Sequence, residues 1–312
     1  MQRSKKRIWG DKSMSGLSYF LQQLVNGLAL GSIYALVAIG LSMVYGILHL
    51  INFAHGDVMT IGCFVALVFA WGTGYPFWLV LLIPPLVCAV FGILMERATY
   101  RPLRKAPEVA LLITSLGISI LIQNFGILFF TAQPRSFRAH PFLKKLHIVH
   151  DVLFSNFTIV IVVLTLLIMF VLNLIVKKTK IGMAMRATAE NLNIAKLMGI
   201  NINHVIVFCF VVGSYLAAIA GVLWAGQFGK VDPLMGFVPG LKAFVAAVIG
   251  GIGSIPGAML GGYILGFAEI LLVGFLPANM TPYRDAFVFL ILILVLLLRP
   301  AGILGKAQIR KV

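Results

Sequence analysis

Long apolar stretches separated by short basic ones organise the chain. They run over roughly 18–47, 50–71, 77–96, 109–131, 155–176, 204–228, 237–251, 256–276 and 284–298. A bilayer core about 30 Å thick needs roughly 20 helical residues per crossing, so most of these stretches can span. The seventh is short and glycine-rich, which predicts a broken or re-entrant helix. None has the period-two alternation of a membrane-barrel strand. The pattern predicts an all-α, polytopic helical integral membrane protein of eight to nine transmembrane segments, some of them broken or re-entrant. A basic amino-terminal extension, 1–17, precedes a single transmembrane domain, 18–312, and no soluble catalytic domain fits beside the spans.

Composition agrees. Of 312 residues, 61% are apolar and 11% charged, which excludes a water-soluble core. The net charge of +16 would suggest nucleic acid in a soluble chain. Here the basic residues fall between apolar stretches, where they set orientation and meet membrane lipid headgroups, so no nucleic-acid partner is expected. Arg97, Arg101, Arg104 and Lys105 follow the third stretch; Lys177, Lys178, Lys180 and Arg186 follow the fifth; Arg299, Lys306, Arg310 and Lys311 close the chain. Nine crossings put all three clusters on one side, the cytoplasm, with a cytoplasmic loop at 177–203. The loop at 132–154 then lies on the extracytoplasmic side, although it carries Arg135, Arg138, Lys144 and Lys145. The same count places residues 1–17 outside, against Arg3, Lys5, Lys6, Arg7 and Lys12. Translation from Met14 would remove those charges; one fewer crossing before Arg97 would also resolve the conflict. Residues 1–13 lack the apolar core of a secretory signal. Cys63, Cys88 and Cys209 lie inside apolar stretches at no metal or disulfide spacing and read as buried hydrophobes.

A faint repeat runs through the chain. Gly31-Ser32-Ile33-Tyr34-Ala35 resembles Gly213-Ser214-Tyr215-Leu216-Ala217, and Phe53-Ala54-His55-Gly56 resembles Phe237-Val238-Pro239-Gly240, about 184 residues on. With nine crossings the copies run in opposite directions, an inverted repeat of the kind whose interrupted helices meet near the midplane.

Four groups of residues carry candidate chemistry. Asn52, His55 and Asp57, with the helix-weakening Gly56, stand at the mouth of an apolar run. They read either as a pathway lining, with bared backbone groups suited to a zwitterion, or as an interfacial helix cap. Gly250, Gly251, Gly253 and Ser254 open a glycine-dense break before Pro256, without the arrangement of a phosphate loop. Close helix packing is the simpler reading for most of these glycines, as for Gly27, Gly31, Gly213 and Gly221. Glu269, Gln123 and Asn124 lie deep in spans; Glu269 is either a carrier of protons or amines or a hydrogen-bonded strut. Between Arg186 and Gly199 the spacing of Ala187, Asn191, Ile194 and Met198 predicts a short helix stopped by Gly199, which suits docking in a groove on a soluble partner or lying on the membrane surface.

Asn52-Phe53-Ala54-His55-Gly56, the run Gly250 to Ala258, the loop Arg186 to Gly199, Glu96-Arg97 with Tyr100-Arg101-Pro102, and Pro300 to Gly305 together resemble one family. It is the membrane permease subunit of branched-chain amino-acid ABC importers, the LivH type, and the likeness runs from Met14 to the end. The resemblance implies a permease domain without catalytic residues that forms a pathway for leucine, isoleucine and valine across a bacterial cytoplasmic (inner) membrane. It implies as partners a second related permease, two cytoplasmic ATPases that bind the ATP and Mg, and an extracytoplasmic amino-acid-binding protein. No cofactor is expected in this chain. The family's coupling helix follows Glu-Ala-Ala-x-x-x-Gly; Ala195 and Gly199 keep that spacing, whereas Asn193 and Ile194 replace the leading pair, and Glu190 stands three residues earlier as the acidic candidate.

Elementary physics fits such a pathway. A zwitterion's charges must meet polar groups while its aliphatic side chain stays in an apolar cavity, and the breaks near 52–57 and 250–257 are the expected polar parts. One methylene is worth only about 1–3 kcal/mol in a pocket, so the binding protein is the expected selector. Related importers of urea, short amides or other amino acids fit the same residues. A proton-driven transporter would use Glu269 or Asp57, and a membrane enzyme would need more polar residues around His55 and Asp57 than the spans contain.

Overall fold

A computed structural model of the chain describes residues 16–70, 76–104, 106–138, 140–277 and 279–305. The expected start at Met14, the basic residues before it, and Lys105, Lys306, Arg310 and Lys311 lie outside the described residues.

Apolar runs become helices where expected: α1 Gly16–Leu48, α2 His55–Ala70, α3 Phe77–Met95, α4 Glu108–Phe130 and α5 Asn156–Lys178. Then come α6 Lys180–Glu190, α7 Leu192–Leu197, α8 Ile202–Phe228, α9 Phe237–Gly250, α10 Ile255–Phe275 and α11 Arg284–Leu298. Side chains cap several starts: Ser155, Thr179, Asn191, Asn201 and Ser254 each accept a hydrogen bond from a backbone N–H of the first turn. Past its end α3 loosens into a wider turn over Glu96–Tyr100, continued by Arg101–Leu103.

Among the described residues seven helices are long and apolar enough to cross a membrane, and α2 and α9 are shorter. The protein is thus a multi-pass helical membrane protein in which the second and seventh apolar stretches are both half-length helices. The seventh was expected to be short and broken, and a break was expected near 52–57 at the mouth of the second. In the second, residues 50–54 are not helical, and α2 begins at His55.

Side-chain contacts give the helix directions. Tyr34 of α1 meets Trp224 of α8, while Gly40 lies against Gly213, so these two run antiparallel. α1 is also antiparallel to α10: the Tyr19 hydroxyl donates to Gly274 O (2.7 Å), and Ser42 Oγ accepts from Gly253 N (2.9 Å). Gly92 of α3 lies against Ser214 of α8, and Arg104 Nη1 donates to Asn203 Oδ1 (2.5 Å), again antiparallel. The pairings exchange as a two-fold would require, α1 on α10 and α3 on α8, with α1 and α8 crossing at the centre. The inverted repeat is therefore present: α1–α2–α3–α4 and α8–α9–α10–α11, with α5 to α7 between. The matched serines do equivalent work, Ser32 bonded to Tyr263 of α10 and Ser214 against Gly92 of α3, whereas Gly31 packs on Tyr263 of α10 and Gly213 on Gly40 of α1.

The two ends of the bundle differ. One gathers the close of α3, α6–α7, the start of α8 and the segment 299–305, whose Ile303 N and Leu304 N donate to Ile249 O and Gly250 O (both 2.9 Å). This is the basic end, where the described members of all three Lys/Arg clusters lie. The other end carries the 132–154 region, which is more ordered than a plain loop. Leu146–Val149 and Val152–Ser155 pair as an antiparallel hairpin turning through His150 and Asp151, both at positive φ. Arg135–Ser136 pairs with Lys230–Val231. The hairpin is tied to α1 by Gln22, which exchanges two hydrogen bonds with Leu153 (2.9 and 2.7 Å). These short strands leave the all-α class intact.

Candidate translocation site

The two half-length helices meet at their starts. Gly56 of α2 sits against Gly236 O and the Gly240 Cα of α9, so close that an added Cβ would lie 2.3 Å from the former and 2.7 Å from the latter. Phe53 and Phe244 flank the contact with ring centroids 6.5 Å apart. The partner of the 52–57 break is therefore its repeat mate at 236–244, not the 250–257 glycine run. That run belongs to the basic end: Gly251 and Gly253 take positive φ, Gly251 packs on Gly305, Gly250 on Gly257, and Ser254 caps α10. Gly250, Gly251, Gly253 and Ser254 sit in a packed corner at that end.

Each polar residue near the crossing has a defined place. Asn52 is buried and its Oδ1 accepts from the Tyr100 hydroxyl (2.9 Å), which the wide turn after α3 brings inward. The same turn buries Glu96, paired with Arg104. His55 is buried where α1 and α8 cross, its ring against Gly40 and Gly213. Asp57, wholly buried, accepts from Ser119 Oγ (2.5 Å) and Gln123 Nε2 (3.1 Å), which are one turn apart on α4. Two of the expected residues, Asp57 and Gln123, thus belong to one cluster. Asn124 is exposed and donates to its own helix at Ile120 O.

Glu269 acquires partners that could not be named from sequence. Lys242 of α9 donates to its Oε1 (2.7 Å), the Tyr34 hydroxyl to its Oε2 (2.8 Å), and Lys242 also pairs with Asp285 of α11 (2.7 Å). Four helices converge on these bonds, and the pairing favours the strut over the carrier, because a buried carboxylate with a cation beside it is already compensated. Lys242 and Ser119 are the functional residues the sequence reading missed. A lone lysine inside the 237–251 apolar run was a usable signal, whereas nothing local distinguishes Ser119.

At the basic end the expected single helix is two, because the Asn191 side chain accepts from Asn193 N and Ile194 N and ends one helix while capping the next. Arg186 is exposed and donates to Val176 O, and Glu190 is exposed at the end of α6. Ala195 is buried, and Gly199 takes φ +79° as it ends α7. Leu197 and Met198 stand 87% and 78% exposed, an apolar tip facing away from the bundle.

An inverted repeat with two interrupted helices meeting at a polar crossing is transporter architecture. Comparison with known proteins makes this specific. Residues 23–296 match the family described as branched-chain amino acid transport system / permease component. The chain is 44% identical over 313 residues to the high-affinity branched-chain amino acid transport system permease protein BraD of Pseudomonas aeruginosa, covering 96% of this chain and all of that one. It is 43% identical to LivH of Escherichia coli, covering 94% and 98%, and 29% identical to a probable LivH of Methanocaldococcus jannaschii, covering 88% and 89%. The chain belongs to this permease family.

Proposed function

We propose that the chain is one of two permease subunits of an ATP-driven importer that carries leucine, isoleucine or valine across a bacterial cytoplasmic membrane. The single observation that carries this reading is the near-full-length identity to BraD and LivH. The basic end faces the cytoplasm, following the excess of Lys and Arg there. Its α6–α7 pair, with Leu197, Met198 and Ile194 exposed, docks on an ATPase subunit that binds the ATP and Mg. The hairpin end receives the amino-acid-binding protein. In this chain the reaction is movement: the α2–α9 crossing closes the path between the two repeats, and pressure on α6–α7 separates them.

Tagging the chain, extracting it gently and identifying its companions by mass spectrometry tests the assembly. Two different P-loop ATPases and a second multi-span permease are expected. ATP-dependent uptake of radiolabelled leucine by the reconstituted complex, competed by isoleucine and valine but not by urea or acetamide, tests the substrate. A chain that comes out alone and takes up leucine without ATPases would overturn the reading.

A further inference from the structure

Just past α3 the chain makes a turn that Pro102 favours. An α-helix continued through Pro102 would lose a backbone hydrogen bond and press the proline ring on the carbonyl of Ala98. The helix widens instead over Glu96–Tyr100, where Arg101 N–H reaches back five residues to Glu96 O. Glu96 and Tyr100 open and close this turn, and both are fully buried. From it, side chains reach two other parts of the molecule.

Toward the basic end, Glu96 pairs with Arg104, whose Nη1 donates to Asn203 Oδ1 in the first turn of α8 (2.5 Å). Asn203 stands close to the docking helix in the chain. Only residues 198–201 separate α7 from α8, and Ile200 N donates back to Ala195 O (3.1 Å). Toward the crossing, the Tyr100 hydroxyl donates to Asn52 Oδ1 (2.9 Å), and Asn52 O accepts from His55 N (3.2 Å), one residue before Gly56. The Tyr100 ring also lies against Phe210, with centroids 5.0 Å apart. Phe210 is two turns beyond Asn203 on the same face of α8, so α8 holds the wide turn at two points. Three buried polar atoms on this route, Asn52 Nδ2, Glu96 Oε2 and Arg104 Nε, have no hydrogen-bond partner among the described residues. In a fixed joint such atoms only cost stability, whereas in a moving one they are spare capacity for a change of partners.

We propose that Asn203, Arg104, Glu96, Tyr100 and Asn52 are positioning residues that link the docking helices to the crossing. The inference rests on the function proposed above and gives its coupling step a route. An ATPase pressing on α7 displaces the start of α8. Asn203 and Phe210 carry that displacement to the wide turn, which tightens toward α-helical geometry; one residue of helical register is about 1.5 Å of rise and 100° of rotation. Tyr100 then draws Asn52, and with it the start of α2, away from α9 at Gly56. The wide turn is the element with two arrangements that such coupling requires. Because the contacts lie in series, breaking any one of them has the same consequence.

The test uses the complete importer in proteoliposomes with its binding protein. It reads ATP hydrolysis with and without leucine, beside uptake of radiolabelled leucine. Asn203→Ala and Tyr100→Phe, at the two ends of the route, should each assemble and hydrolyse ATP at the wild-type rate without leucine. Leucine stimulation and uptake should both fall at least fivefold. The double variant should be no worse than the more damaged single one, as links in series require. Asn203→Asp, which still accepts from Arg104, should keep wild-type coupling. Normal coupling in either single variant overturns the proposal, and so do losses that multiply in the double variant. An Asn203→Asp as defective as Asn203→Ala, or a loss of assembly that matches the loss of uptake, overturns it too. The two readings fail separately. A wild-type complex that takes up no branched-chain amino acid removes the proposed function, whereas coupled leucine uptake untouched by the variants removes the route alone.

Discussion

Gly56 and Lys242 illustrate two ways in which a residue holds this fold. At Gly56 the neighbours are backbone, Gly236 O and the Gly240 Cα, and cannot rotate away from an added methyl. Gly56→Ala should cost about 1–3 kcal/mol or more, as overpacking does, and lower the melting temperature of the detergent-solubilised protein. Gly117→Ala is the control, because nothing lies within 4 Å of the position on α4. It should leave stability unchanged or raise it by up to about 1 kcal/mol through helix propensity. Equal losses in the two variants would mean the crossing is loose. Lys242 holds by charge. Removing it in Lys242→Met takes the close cation from Glu269 and leaves the half-exposed Arg284 at 3.8 Å, a loss of up to about 3–5 kcal/mol, while Lys242→Met with Glu269→Met should recover a large part of it. A double variant no better than the single one would show that the pair is not the strut. Asp57 and Glu269 could be marked from sequence because carboxylates are scarce in spans; their partners could not, because Ser119 and Lys242 are 62 and 27 residues away and nothing local fixes those distances.

Among the elements, α7 has the clearest separable role. Ala195 anchors it, while Leu197 and Met198 stay largely exposed among the described residues. Replacing both with Ser should leave the melting temperature unchanged and abolish leucine-stimulated ATP hydrolysis in the assembled importer. Retained stimulation would place the coupling contact elsewhere. Gly199, at φ +79° with open space around it, tests shape instead of contact. Gly199→Val has no clash to meet but strains a left-handed backbone, by about 1–2 kcal/mol, so it should uncouple ATP hydrolysis from uptake without unfolding the protein. Normal coupling in that variant would free the turn from any role. The break at Asn191 was hidden in the sequence because the apolar spacing of Ala187, Ile194 and Met198 continues through it. Asn191 is helix-tolerant until its side chain finds the N–H groups of Asn193 and Ile194.

For the whole molecule, opposite ends should face opposite sides of the membrane. Phe142→Cys, at an exposed position of the hairpin end, should react with an impermeant maleimide in intact cells, and Leu197→Cys only after permeabilisation. Both reacting from one side would refute the orientation. Much of this plan was readable along the chain. The bilayer demands long apolar helices with paired backbone groups, so composition and run length alone determined the helical class and nearly every boundary, and the Lys and Arg between runs marked one end. The weak likeness of Phe53–Gly56 to Phe237–Gly240 even located the crossing. Tertiary structure alone decided what meets what. It turned the second span into a half-length helix, gave Glu269 a lysine and Asp57 a serine and a glutamine, and sent the 250–254 glycines to a packed corner. The physical reason is that one helix face is set by local spacing, whereas the partner of that face is chosen by the antiparallel packing of two repeats.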